Sequence, residues 1–164
     1  MNHDIKKSFR SFDLCIYNMK FSVVSAAFFA LLIALTSAQQ LSVSYDAFYD
    51  SPDESLATVA CSDGSNGLIT RGYTTFGSLK DFPNIGGAPE VTGFNSPACG
   101  SCWRLTYNND HTGETAINIL AIDVSRPDFN IGIEALNTLT GGQAIQLGRV
   151  PITATQVNAS DCQI

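Results

Sequence analysis

Basic residues are scarce in this chain. Nine lysines and arginines stand against fifteen acids in 164 residues, a net charge of −6. Beyond residue 38 the imbalance deepens, to thirteen acids against five bases and a net charge of −8. A surface of that sign repels phosphate backbones and anionic lipid headgroups, which excludes nucleic acid and membrane as partners. Histidine is nearly absent, with only His111 beyond residue 38, and no second CxxC accompanies Cys99-Gly100-Ser101-Cys102. A structural zinc site needs four such ligands, so neither a metal nor any other cofactor is expected. Internal repeats and low-complexity linkers are lacking too, and residues 39–164 read as one ordinary domain.

No apolar run is long enough to cross a bilayer comfortably. The longest, 21–35, follows Lys20 and precedes Thr36-Ser37-Ala38. Charged, apolar, then small is the order of a secretory signal peptide, with cleavage expected near Ala38. A compact signal peptide would begin at Met19, which leaves 1–18 as an over-extended start or a long charged leader. Residues 1–38 are therefore read as leader and signal peptide, and the protein as secreted and extracellular.

Export changes the cysteine arithmetic. Without Cys15 the chain keeps Cys61, Cys99, Cys102 and Cys162. An even number in an oxidising compartment predicts two disulfides, and four cysteines allow three pairings. A redox pair between Cys99 and Cys102 is disfavoured, since no βαβ pattern surrounds it.

The chain beyond residue 40 reads mainly as short strands. Leu41, Val43 and Tyr45 alternate with serines, Leu56–Ala60 is a second candidate, and Val150–Val157 is a late strand with Pro151 at an edge. Trp103–Tyr107 and Ala116–Asp123 are β-rich runs joined by the polar loop 108–113. One helix is expected, capped by Asn130, with Ile131, Ala135 and Leu139 at helical spacing and Gly141-Gly142 ending it. Many short strands, one helix and glycine-rich turns predict a closed β-barrel. Asn158-Ala159-Ser160 is the only N-glycosylation acceptor pattern beyond residue 38.

Four motifs in order add to this reading. VSYD at 43–46, CSDG at 61–64, the stretch Thr70–Arg104 (TRGYTTFGSLKDFPNIGGAPEVTGFNSPACGSCWR) and LTGGQAIQLG at 139–148 resemble the cerato-platanin family of small secreted fungal proteins. The resemblance implies a mainly β, single-domain, six-stranded double-psi β-barrel over 39–164, with one or two short helices. It also implies the pairing Cys61–Cys99 and Cys102–Cys162. Its ligand class is chitin or other N-acetylglucosamine oligomers. Expansin-like wall loosening, recognition by plant surface receptors as a defence elicitor, residence in the fungal cell wall and a monomeric state complete what it implies.

The related expansins and endoglucanases work on polysaccharides, and hydrolysis with inversion needs two carboxyl groups spaced to hold a water. Asp123, ending the run INILAID, matches the strand-end aspartate that those endoglucanases use as acid. Their base stands two residues beyond a first-strand tyrosine; here that tyrosine is Tyr45 and the position is Ala47. Asp46 points to the opposite face of its strand, while Asp50 and Asp53 fall in a proline-containing loop that faces solvent. Asp63 remains a possible second acid or a turn residue before Gly64. The chain therefore reads as non-catalytic.

Sugar binding asks for aromatic faces and hydrogen-bonding groups. Tyr45, Tyr73, Phe94 and Trp103 are candidates for the first role, Trp103 being better explained as core. Asp63, Asn95, Ser96 and Asp123 are candidates for the second. Two departures from the family pattern stand out: Val124 follows Asp123 where many members carry His, and Phe94 replaces a Trp. The competing readings are a weak glycoside hydrolase or transglycosylase using Asp123 as acid, and a surface-active protein of the hyphal wall.

Overall fold

Alternating serines and apolar residues build the first strand, β1 (Leu41–Tyr45), which buries Val43 completely. The computed structural model describes residues 40–109 and 113–164. Residues 1–38, with Met19 and Cys15, lie outside the described residues, as does His111. Five further strands follow: β2 (Ile85–Ala88), β3 (Cys102–Asn109), β4 (Gly113–Val124), β5 (Phe129–Ile131) and β6 (Arg149–Val157). They close into a barrel in the order β1-β5-β2-β4-β3-β6. The pairs β1–β5 and β2–β4 are parallel and the other four antiparallel. The mixed, closed six-stranded barrel expected from the resemblance is thus the fold.

The hairpin β3–β4 matches its prediction, in register from Cys102↔Leu120 to Asn109↔Gly113. Strand β6 does too. Its first residues, 149–152, pair with β1 and residues 153–157 pair with β3. Pro151 therefore sits where the strand has a partner on one side only, which tolerates its missing N–H.

Three local expectations need correction. Leu56–Ala60 is no strand: Leu56–Thr58 is a single 3₁₀ turn, because Ser55 Oγ accepts the N–H of Ala57 at 3.1 Å and diverts the chain. The helix, α1 (Ile133–Thr140), starts later than its periodicity suggested. Residues 129–131 are drawn into β5 between β1 and β2, so Asn130 and Ile131 are strand residues and Asn130 caps nothing. Asp50 is not a solvent-facing loop acid; its carboxylate supplies the helix cap, accepting from Ile133 N at 2.7 Å and Glu134 N at 3.1 Å. At the other end Gly141, with φ of 66°, forms the left-handed cap as expected. A second short helix, α2 (Ala144–Leu147), leads into β6.

Inside the barrel lie Leu105, Ile119, Phe129, Ile131, Val150 and Ile152, all nearly or fully buried. Trp103 is core, as expected: its indole N–H donates to Ser101 Oγ at 2.8 Å and its ring meets Phe129 edge-on at 5.6 Å. Close packing of β2 against β5 demands Gly86, where a Cβ would stand 2.9 Å from Ile131 Cα. Two disulfides, Cys61–Cys99 and Cys102–Cys162, tie the long loops and the C-terminal turn to the barrel. They carry the pairing that the resemblance implied. Among the described residues no helix is long and apolar enough to cross a membrane.

Candidate functional site

Strand β4 changes character near its end. Ile117 and Ile119 point inward with Asn118 between them, but 119–122 are all buried. The outer face is covered by the disulfide-tied loops: Cys61 N donates to Ile122 O, Gly100 N to Ala121 O, and Ala121 N to Ser101 O. A register shift against β2, between Gly86 and Gly87, puts Asp123 opposite Gly87 at the rim.

There Asp123 receives three donors. Oδ1 accepts from Ala60 N at 3.0 Å and Val124 N at 2.8 Å, and Oδ2 accepts from the phenol of Tyr49 at 3.3 Å. Tyr49 is 5 % exposed and held by an aromatic cluster, edge-on to Phe48 at 5.4 Å and stacked with Phe76 at 6.3 Å. Burial first, and then the neighbouring Asp123 carboxylate, hold its hydroxyl well above the ordinary tyrosine range. Tyr49 is a neutral donor to Asp123.

Ala60 links Asp123 to a second candidate. Its N–H goes to the carboxylate, and its carbonyl accepts from Asn95 N at 3.3 Å. Asn95 is one of two non-glycine residues with positive φ among the described residues, at 56°, a conformation Asn tolerates. Asn66 locks it: Asn66 N donates to Asn95 Oδ1 and Asn66 Nδ2 to Asn95 O, both at 2.9 Å. Asp63 sits on the same loop, exposed, with Oδ1 accepting from Gly64 N at 2.8 Å and Thr70 Oγ1 at 2.7 Å. Those two bonds, the Thr70 one first, hold its carboxyl below the usual range.

The sequence candidates therefore separate into groups. Asp123 and Asn95 are joined through Ala60, and Asp63 lies on the loop that clasps Asn95. Between Gly93 and Asn95 the ring of Phe94 is 68 % exposed, and Val124 beside Asp123 is 39 % exposed. Ser96 is buried, with its hydroxyl oxygen accepting from Thr92 N and Ala98 N, so it staples its own turn. Tyr45 stands on β1 opposite Ile131, half-buried against the core, and Tyr73 is likewise half-buried. The tyrosine on Asp123 is Tyr49, not Tyr45. Neither Tyr49 nor Asn66 was among the sequence candidates. The only available signal for Asn66 was its place before Gly67 in a polar loop.

The other acids are occupied elsewhere. Asp46 caps the 3₁₀ turn Ala47–Asp50 through Phe48 N, and Asp50 caps α1. Among the described residues no group of three His, Cys, Asp or Glu side chains could hold a metal ion.

Fold and rim together define a class: a disulfide-stapled, closed six-stranded mixed barrel with a hydrogen-bonded aspartate at the end of its longest strand. The cerato-platanin family model matches residues 41–164, and the chain belongs to the cerato-platanin family. It is 43 % identical over 148 residues to the heat-stable 19 kDa antigen of Coccidioides immitis, covering 88 % of this chain and 98 % of that protein. The crystal structure of cerato-platanin 1 from M. perniciosa matches with a TM-score of 0.73 at 45 % identity, over 75 % of this chain and 99 % of that one. The solution structure of the fungal elicitor Cerato-Platanin matches at 0.64 and 38 % identity, over 74 % and 96 %.

Proposed function

We propose that this chain is a secreted, non-catalytic carbohydrate-binding protein whose ligands are chitin fragments and other N-acetylglucosamine oligomers. The observation that carries the reading is the state of Asp123. Both its oxygens already accept hydrogen bonds, and the side chain on Oδ2 is a phenol rather than a second carboxyl. A general acid–base pair needs a proton held on one carboxyl and a free base beyond it. Asp46 and Asp50, the acids nearest in sequence to Tyr49, are committed to helical caps.

Binding asks only for a face and hydrogen-bonding groups. Phe94 offers an exposed ring for the C–H face of a pyranose, and exposed Asp63 offers a carboxylate for its hydroxyl or acetamido groups. In this reading Asn95, Asn66 and Asp123 hold the loops that present them. Wall loosening and recognition by plant surface receptors as an elicitor are roles that such binding would serve, at the fungal wall or outside the cell, as a monomer.

An NMR titration with chitin oligomers tests the reading, with amides of 63–66 and 93–95 expected to shift. Phe94→Ala should weaken binding by roughly three- to tenfold, the equivalent of about 0.5–1.5 kcal/mol. Release of reducing ends from chitin or β-glucan above an inactivated control, lost in Asp123→Asn, would replace this reading with a hydrolase.

A further inference from the structure

The acceptor pattern Asn158-Ala159-Ser160 lies at the point where β6 ends and the 3₁₀ turn Ala159–Cys162 begins. All three residues are exposed. Asn158 occupies the cap position of that turn in extended backbone, with φ −64° and ψ 145°. Two other 3₁₀ turns use the side chain at this position. Asp46 Oδ1 accepts from Phe48 N, and Ser55 Oγ accepts from Ala57 N. The carboxamide of Asn158 makes no such bond, and no hydrogen bond in the described residues engages it or the Ser160 hydroxyl.

From this geometry we infer that Asn158 is an N-glycan acceptor, modified from a lipid-pyrophosphate-linked oligosaccharide with N-acetylglucosamine at its reducing end. In the transfer the Asn158 carboxamide nitrogen bonds to the anomeric carbon of that sugar. The bond from the anomeric carbon to the pyrophosphate oxygen breaks, the lipid pyrophosphate leaves with the electron pair, and the nitrogen gives up one proton. The Asn-x-Ser pattern is what the transferring enzyme reads. The inference rests on export, since the donor is found only along the secretory route.

The fold also sets the timing. In the finished protein Asp161 N donates to Asn158 O at 2.9 Å, and Cys162, four residues on, is bonded to Cys102. Turn and disulfide together hold the acceptor curled against the barrel. Transfer therefore belongs to the interval before Cys102–Cys162 closes, a step that takes seconds or longer. Val157 pairs with Cys102, which pairs with Leu120, so Asn158 leaves the barrel level with Ala121. The oligosaccharide would rise from the end of the barrel that carries Asp123, with β3 between them.

The test is intact-mass analysis of the full chain, secreted by a fungal host behind the host's own signal peptide. That arrangement makes entry to the lumen independent of residues 1–38, so a failed leader reading and a failed acceptor give different results. Wild type should carry one oligosaccharide, released by peptide N-glycosidase, with Asp left in place of Asn158. Asn158→Gln and Ser160→Ala should each lack it while retaining the wild-type thermal midpoint. Cys162→Ser should be occupied at least as fully as wild type. Secreted wild type with the mass of the bare polypeptide would overturn the proposal. Lower occupancy in Cys162→Ser would overturn the stated order of transfer and closure.

Discussion

Asp50 and Ile133, 83 residues apart, are joined end to end: the amide of Ile133 donates to Asp50 Oδ2 at 2.7 Å. A second amide, from Glu134, takes Oδ1, so one carboxylate satisfies two orphan donors at the start of α1. The helix has no capping side chain of its own, because its cap position is Gly132. Asp50→Ala should cost about 1–2 kcal/mol, read as a lowered midpoint in urea denaturation, and Asp50→Asn should recover part of it. An unchanged midpoint in Asp50→Ala would show that water replaces the cap without loss.

Tyr49→Phe isolates the phenol that Asp123 receives. The phenylalanine ring keeps the contacts with Phe48 and Phe76, and only the bond to Oδ2 disappears. Hydrogen bonds to charged groups are worth about 1.5–3 kcal/mol, and Asp123 keeps its two amide donors, so a loss near the lower figure is expected. Chemical denaturation at pH 7 measures it. If Tyr49→Phe instead changed sugar binding and left stability untouched, the phenol would be a ligand contact rather than a support.

Asp81 introduces a pH dependence of the opposite sense to an ordinary salt-bridged carboxylate. It is 8 % exposed, and its Oδ2 has no hydrogen-bond partner. Burial pushes its carboxyl up to about 7 from an ordinary value of 3.8. Across that window the folded protein holds a proton that the unfolded chain has released, so stability falls as pH rises from about 4 to 7 and stays low above it. The loss is bounded at about 4 kcal/mol. Asp81→Asn should flatten the profile and raise the thermal midpoint at pH 8. A wild-type midpoint that climbs between pH 4 and 7, and climbs equally in Asp81→Asn, would remove Asp81 as the cause.

Reduction should be costly in this small barrel. The bridges Cys61–Cys99 and Cys102–Cys162 close intervals of 38 and 60 residues, each worth about 4 kcal/mol on chain-entropy grounds. Non-reducing peptide mapping should return these two pairs, and dithiothreitol should lower the thermal midpoint markedly. A reduced protein that melts with the oxidised one would refute that account.

Four of the six strands were legible from alternation or from the length of their β-rich runs. Leu41, Val43 and Tyr45 alternate with serines, and β3, β4 and β6 carry long enough β-rich runs to be recognised. The two that were missed, β2 and β5, are the short ones. Ile85–Ala88 is buried at every position and half glycine, so it reads as a turn. Phe129–Ile131 abuts the helix and merges with its periodicity. These two strands also make the parallel pairings, which join residues far apart in the chain and leave no local trace.

The same division runs through the rim. Asp123 could be singled out because an acid that ends an apolar strand run must emerge where the barrel stops. What receives it from afar could not be, since Ala60 and Tyr49 converge on it only after the barrel closes and the Cys61–Cys99 bridge draws the loops over β4. Composition and local pattern by themselves determined a cysteine set for two bridges, a β-rich domain and an acidic surface, all properties that add up residue by residue. Which asparagine locks a loop, which aspartate caps a distant helix and which tyrosine meets Asp123 were decided by tertiary structure alone. A hydrogen bond needs two partners within about 3 Å, and only the closed barrel brings groups 74 or 83 residues apart to that distance.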